Sequence, residues 1–288
     1  MKVYVAYLAT DGGRDAVALG VQLARSLGAG LALGMVVPPD QTGAFVSGDL
    51  VDQVLTDQAE AWLEQAREQV PDDVEATTHI GVYDSIAEGI IAEAQRLDAA
   101  IVVVGATGGG ILGRHSLGPV VNDLIHSAPV AVALAPRGQR HSRAATVRSV
   151  TCAVGARPGA EELLDAAIAG AERAGVPLRL VSLIAVDLMP TARQGDEAKL
   201  EEARRHSAAV LDEARNRLSG TVDVSSVVVL GDTVEDAVNG LEWHPGDLIM
   251  VGSSRLAAPR RLFLGSTAAK MLRVLDVPMI VVPRAGLS

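Results

Sequence analysis

Glycines recur at one fixed spacing in two places along this chain, each time behind an apolar run. The first passage reads Ile101-Val-Val-Val-Gly105-Ala-Thr-Gly108, then nine residues, then Gly118-Pro119-Val120. The second, about 147 positions further on, reads Ile249-Met-Val-Gly252-Ser-Ser-Arg255, again nine residues, then Gly265-Ser266-Thr267. An apolar strand that runs into a small-residue loop and then a helix is the arrangement that cradles phosphate. Glycine lets the backbone approach an anion without a Cβ, and the unpaired N–H groups of the helix's first turn point at it. The chemistry these positions suit is anion binding.

Groups suited to bond cleavage are sparse. The six histidines, His79, His115, His126, His141, His206 and His244, make no i, i+4 pair and no zinc-type spacing with cysteine or carboxylates, and no Gly-x-Ser-x-Gly elbow occurs. The single cysteine, Cys152, lies in the apolar run Val150-Thr-Cys-Ala-Val154. It excludes an internal disulfide framework, fits a reducing cytoplasm, and reads as a buried strand residue.

The glycines need strands that end beside them, and the pattern supplies these. In the first half, 2–9, 31–37, 74–80, 99–104 and 130–134 are short β-rich runs, mostly apolar throughout as in strands covered on both faces. Between them, 14–27, 49–70, 85–97 and 120–127 have helical periodicity. The second half repeats the order, with strands over 149–154, 178–184, 224–230, 247–251 and 279–282 and helices over 160–174, 196–218, 234–241 and 267–275. Strands alternating with helical crossovers imply an α/β fold: two repeated doubly wound domains, each with a five-stranded parallel sheet. The expected boundaries are 1–137 and 148–288, joined by a linker over 138–147. The stretch Arg137-Gly-Gln-Arg-His-Ser-Arg143 is polar, basic and aperiodic, and is expected to be a solvated connector.

Composition narrows the partners. With 49% apolar and 21% charged residues the chain of 288 residues has enough apolar material for two ordinary cores. A net charge of −10 without a basic block argues against nucleic acid or an anionic membrane, so any anion site must be local. The apolar run after Lys2 is cut off by Asp11, too early for a secretory signal, and no stretch reaches the roughly 18 apolar residues of a membrane span. The expected compartment is the cytoplasm.

These residues resemble the universal stress protein family, in a tandem form with two domains on one chain. The resemblance is carried by the G-x-x-G-x9-G-(S/T) spacing after the fourth strand, by the turn Ala9-Thr-Asp11-Gly12 after the first, and by Ser127-Ala-Pro-Val130 and Asp276-Val-Pro-Met279 leading into the last strands. It covers nearly the whole chain apart from the linker. It implies a flavodoxin-like sheet that binds ATP or a related adenine nucleotide, with or without Mg2+, at the C-terminal ends of the first and fourth strands. The switch point of an open α/β sheet is independently the place where ligands sit. In the family's ATP-binding members the turn aspartate holds the ribose, strand-end backbone meets adenine, and the glycine loop holds the phosphates. Carried over, the first-half set is Ala9, Asp11, Val37, Val104, Gly105, Gly108, Gly118, Pro119 and Val120; the second-half set is Gly252, Gly265, Ser266 and Thr267. The resemblance also implies an intramolecular pseudo-dimer through the last strands, a regulatory protein partner, and leaves room for a further homodimer.

The two copies depart from the pattern in opposite ways. Pro119 stands where the family has Ser or Thr, and supplies neither hydroxyl nor N–H, although proline suits the first position of a helix; Arg114 and His115 are the nearby residues able to compensate. In the second half Arg255 replaces the middle glycine, and the turn Val154-Gly-Ala-Arg157-Pro158 has no carboxylate. Arg255 either fills the phosphate space or joins Arg157 in a small anion pocket. The first half is therefore expected to be the better nucleotide site, and any hydrolysis slow. Two rivals stay open: an interaction scaffold with degenerate sites, and an adenylating ATP pyrophosphatase, whose S-G-G-x-D-S loop is similar to Asp11-Gly12-Gly13-Arg14-Asp15-Ala16 but for both serines.

Overall fold

The computed structural model describes residues 1–39, 48–106, 118–155, 160–188, 197–216, 222–253 and 262–283. In the first half the elements are β1 Lys2–Ala6, α1 Asp11–Leu27, β2 Gly30–Val37, α2 Gly48–Arg67, β3 Ala76–Val82, α3 Ile86–Arg96, β4 Ala99–Gly105, α4 Pro119–Ser127 and β5 Ala131–Ala135. The second half follows with β6 Ser149–Ala153, α5 Ala160–Ala174, β7 Leu178–Ala185, α6 Glu197–Asn216, β8 Val224–Gly231, α7 Val234–Asn239, β9 Asp247–Gly252, α8 Ser266–Val274 and β10 Met279–Val282. Local chemistry sets the ends. Thr10 accepts the Gly13 N–H at 3.2 Å and so starts α1 at Asp11, three residues before the apolar periodicity does, while Gly28 closes the helix with φ 56°. As a result β1 stops at Ala6, earlier than its apolar run suggests.

All ten strands join one sheet in the order β3-β2-β1-β4-β5-β10-β9-β6-β7-β8. Neighbours are parallel except β5 and β10, which run antiparallel with Met279 opposite Leu134 and Val281 opposite Val132. Each half is thus a doubly wound flavodoxin-like sheet, and the halves pair through their last strands as an intramolecular pseudo-dimer. That pairing covers two apolar edges that would otherwise invite aggregation. Two apolar layers sandwich the sheet. Leu19 and Leu23 of α1, Leu63 of α2, Leu163 of α5 and Leu211 of α6 fill one face. Ile90 of α3, Leu124 of α4, Val234 of α7 and Leu272 of α8 fill the other. Where α1 and α5 meet over the central strands, they leave an apolar cavity of about 640 Å³ lined by Ile101, Met250, Ile280 and Gly170 among others. No helix among the described residues is long and apolar enough to cross a membrane.

The connector between the halves differs from its expected solvated form. Gly138 and Arg140 donate their backbone N–H groups to the Asp15 carboxylate at 2.9 and 3.0 Å, and the Arg140 guanidinium binds the same carboxylate at 3.0 Å. Gln139 is buried and donates to Gln22 Oε1 at 2.9 Å. The cause is Asp15, which is fully buried in α1; a buried charge must find partners, and the basic connector supplies them.

Candidate functional site

A cleft opens where β1 and β4 end, beneath the N-termini of α1 and α4. Ala6, Tyr7 and Leu8 form one side, Thr10, Gly12 and Gly13 the start of α1, and Val104, Gly105 and Ala106 the end of β4. Gly118 to Val121 come from the start of α4, while Gly34, Val36, Ile86 and Ile90 close the far end. This is the switch point of the strand order, since β2 lies on one side of β1 and β4 on the other. The enclosed part measures about 110 Å³. That is below the range of about 300–1,000 Å³ usual for whole drug-sized ligands, so it takes one ring of a larger molecule and leaves the rest at the mouth.

Val104, Gly105, Gly118, Pro119 and Val120 of the expected set come together in this wall. Ala9 and Asp11 are exposed just outside it, in the turn and the first position of α1. Val37 is half-buried at the end of β2, where its carbonyl accepts the Tyr83 N–H at 3.1 Å. Gly108, Arg114 and His115 lie outside the described residues.

The glycines have a second cause that the spacing alone does not reveal. A methyl group on Gly105 would fall 3.0 Å from Gly12 Cα and closer still to the Gly12 carbonyl, and one on Gly12 would fall 3.1 Å from the Ala106 carbonyl carbon. The start of α1 and the end of β4 touch backbone to backbone. Gly105 therefore builds the cleft floor before any ligand arrives, and the adjacent pair Gly12-Gly13 was the sequence signal for it.

Donors line the mouth. Gly118 precedes α4 without a side-chain cap, and Pro119 has no N–H, so Val120 and Val121 bring the uncapped amides of the first turn into the cleft wall. Losing the Pro119 amide and a hydroxyl thus leaves a two-residue donor set in place. Asp11 is committed elsewhere: it pairs with Arg14 and, at 3.2 Å, with Arg140. The Arg14 hydrogen bond, helped by the Arg140 charge, holds its carboxyl below the usual range.

In the second half Gly252 ends β9, Gly265 precedes α8 without a side-chain cap, and Ser266 and Thr267 occupy the first turn. Arg157 and Arg255 lie outside the described residues. Two further differences had not been foreseen. The first turn of α5 carries Glu161 and Glu162, which oppose an anion at that helix end. In addition, Ser253 Oγ accepts the Phe263 N–H at 2.7 Å, and the amides of Leu262 and Leu264 bond Ala128 and Ile125 carbonyls of α4's end at 2.9 and 3.1 Å.

The model of the universal stress protein family matches residues 1–136 and again 146–283. The chain belongs to the universal stress protein family. A universal stress protein of Mycobacterium tuberculosis (strain ATCC 25618 / H37Rv) is 29% identical over 98% of this chain and 100% of its own length. Among solved structures, a universal stress protein from Archaeoglobus fulgidus DSM 4304 covers 98% of both chains at 16% identity with a TM-score of 0.62, a likeness of fold. Another universal stress protein, solved in complex with cAMP, is 18% identical over 48% of this chain and 98% of its own, with a TM-score of 0.36. This tandem universal stress protein thus repeats one domain architecture on both sides of the β5–β10 seam.

Proposed function

We propose that this chain is a stress-response regulatory protein linked to adenine nucleotide, with ATP, bare or as its Mg2+ complex, held in the first half. The observation that carries the reading is the cleft between β1 and β4, which joins an apolar closed end to a mouth with uncapped helix amides. An apolar slot suits a base, and amides at a helix start suit phosphate. Hydrogen bonds to a charged group contribute about 1.5–3 kcal/mol each, so the Val120 and Val121 amides are enough for measurable affinity without the missing hydroxyl. Among the described residues of the cleft wall, Tyr7 is the sole titratable side chain.

The test is titration calorimetry of the full chain with ATP, next to two charge insertions. Pro119 and Ser266 are both exposed and begin α4 and α8. Pro119→Glu suits a helix start but repels phosphate, so ATP affinity is expected to fall at least tenfold without a loss of thermal stability. Ser266→Glu is expected to leave affinity unchanged. The reverse pattern would move the site to the second half; an empty wild-type chain at millimolar ATP would favour the interaction scaffold.

A further inference from the structure

The cavity between α1 and α5 exists because the two helices are unequal. The offset that aligns Gly105 with Gly252 also aligns Leu19, Leu23 and Leu27 of α1 with Ala166, Gly170 and Ala174 of α5. The three leucines are buried. Their three counterparts all border the cavity, so α5 stops short where α1 fills its side of the seam. A Cβ placed on Gly170 meets nothing within 4 Å. The resulting space of about 640 Å³ falls inside the range of about 300–1,000 Å³ usual for small-molecule sites.

The lining sets the chemistry of a guest. Ile101 and Ala131 of the first half and Met250, Ile280 and Val282 of the second form the floor. Among the described lining residues there is no aromatic ring, and only Glu172 and Arg173 carry polar side chains, both exposed at the rim. A space with no face to stack a ring on and no hydrogen-bonding side chain inside suits a flexible aliphatic chain rather than a nucleotide or a sugar. The rim adds a fixed cation. Arg173 Nε donates at 2.6 Å to the carbonyl of Leu27, the last residue of α1, which satisfies one helix-end acceptor. The two Nη groups keep their donors without a partner among the described residues, while Glu172 has an interaction of its own.

We propose that this cavity binds a long-chain fatty acid, with the alkyl chain between α1 and α5 and the carboxylate at the Arg173 guanidinium. A guanidinium recognises a carboxylate through paired N–H donors, and an apolar cavity takes an apolar guest. The acid touches β4 and β5 of one half and β9 and β10 of the other, so it sits on the seam itself. The site is separate from the cleft between β1 and β4 and does not depend on the nucleotide reading.

The test is fluorescence titration of the full-length chain with cis-parinarate, displaced by laurate or by dodecanol, with thermal unfolding alongside. Gly170→Leu gives α5 the leucine that α1 has and fills the space; Arg173→Gln removes the charge and keeps a polar side chain. Wild type is expected to bind one cis-parinarate per chain. Gly170→Leu should weaken binding at least tenfold with an equal or higher Tm. Arg173→Gln should weaken laurate about three- to fivefold, the scale of an exposed ion pair, and leave dodecanol unchanged. An empty wild type overturns the proposal, as does a Gly170→Leu chain that binds like wild type, which puts the probe elsewhere. A lower Tm for Gly170→Leu shows that the space is not there. Equal effects of Arg173→Gln on acid and alcohol, or none on either, remove the carboxylate contact and the fatty acid with it. If sedimentation finds a dimer that Gly170→Leu splits, the cavity is a contact between copies and the proposal fails.

Discussion

Gly105→Ala tests whether the floor of the cleft is a backbone-to-backbone contact. A methyl at Gly105 would lie 3.0 Å from Gly12 Cα and nearer to the Gly12 carbonyl, where ordinary carbon contacts begin several tenths of an ångström further out. The obstacle is main chain, so no rotamer change relieves it; α1 must back away from β4. Overpacking of this kind costs about 1–3 kcal/mol, and the rigid neighbour argues for about 3. Replacing glycine also restricts the unfolded chain, which offsets about 0.4–1 kcal/mol. With an unfolding entropy of about 2.1 cal/mol/K per residue over 288 residues, the net loss of about 2 kcal/mol corresponds to a fall in Tm of roughly 3 °C. Gly170→Ala is the internal control, because Gly170 lies within α5, facing the seam cavity, with nothing within 4 Å of an added Cβ. There alanine's helix preference of about 1 kcal/mol should raise Tm by roughly 1.5–2 °C. Scanning calorimetry of both variants at pH 7 decides the matter. If Gly105→Ala melts with wild type, or if the two variants shift together, the close approach of α1 to β4 is not what holds glycine at this position.

Two further outcomes follow from buried groups. The Arg96 hydrogen bond, assisted by Tyr83 and opposed by burial, holds the Glu93 carboxyl below its usual range. Its contribution is therefore present above the unfolded value of about 4.3 and lost as pH falls through the lower folded value. Urea unfolding should find Glu93→Gln less stable than wild type at pH 7, with the gap closing in acid; a gap that persists at low pH contradicts the pairing. Burial pushes the Cys152 thiol up to about 12, so a thiol reagent at pH 8 should label the folded chain hardly at all and the urea-unfolded chain fully. Rapid stoichiometric labelling of the native protein would place Cys152 outside the core.

Most of the architecture was legible because it rests on local pattern. Fully apolar strands alternating with amphipathic helices give a parallel sheet, and the 147-residue offset that aligns Gly105 with Gly252 also aligns Gly34 with Val181 and Tyr4 with Thr151. The connector was not legible, because its form is set by contacts between residues more than a hundred positions apart. Asp15, Gln22 and Ser26 form one polar stripe along α1. Each meets the connector: Asp15 at Gly138 and Arg140, Gln22 at Thr146, and Ser26 Oγ accepting the Val147 N–H at 2.7 Å. The stripe was visible in the sequence, but not what it faced. The cleft shows the same limit. Spacing named Val104, Gly105 and Gly118, whereas Tyr7, Ile86 and Ile90 entered through the end of β1 and the packing of α3, for which no motif exists.

The divergence of the two glycine loops has a structural cause at the seam. Helix α4 starts in the first-half cleft, and the Ile125 and Ala128 carbonyls at its other end accept the amides of Leu264 and Leu262 from the second-half loop. Leu262 is fully buried, and Phe263 meets His126 edge-on with ring centroids 4.7 Å apart. Amides bonded across the seam cannot also turn toward a phosphate, and Glu161 and Glu162 at the start of α5 oppose one electrostatically. The segment that precedes Gly265 has thus become part of the packing between halves, anchored on the helix whose opposite end carries the uncapped Val120 and Val121 amides. That is a physical argument for the proposal that places the ligand in the first half.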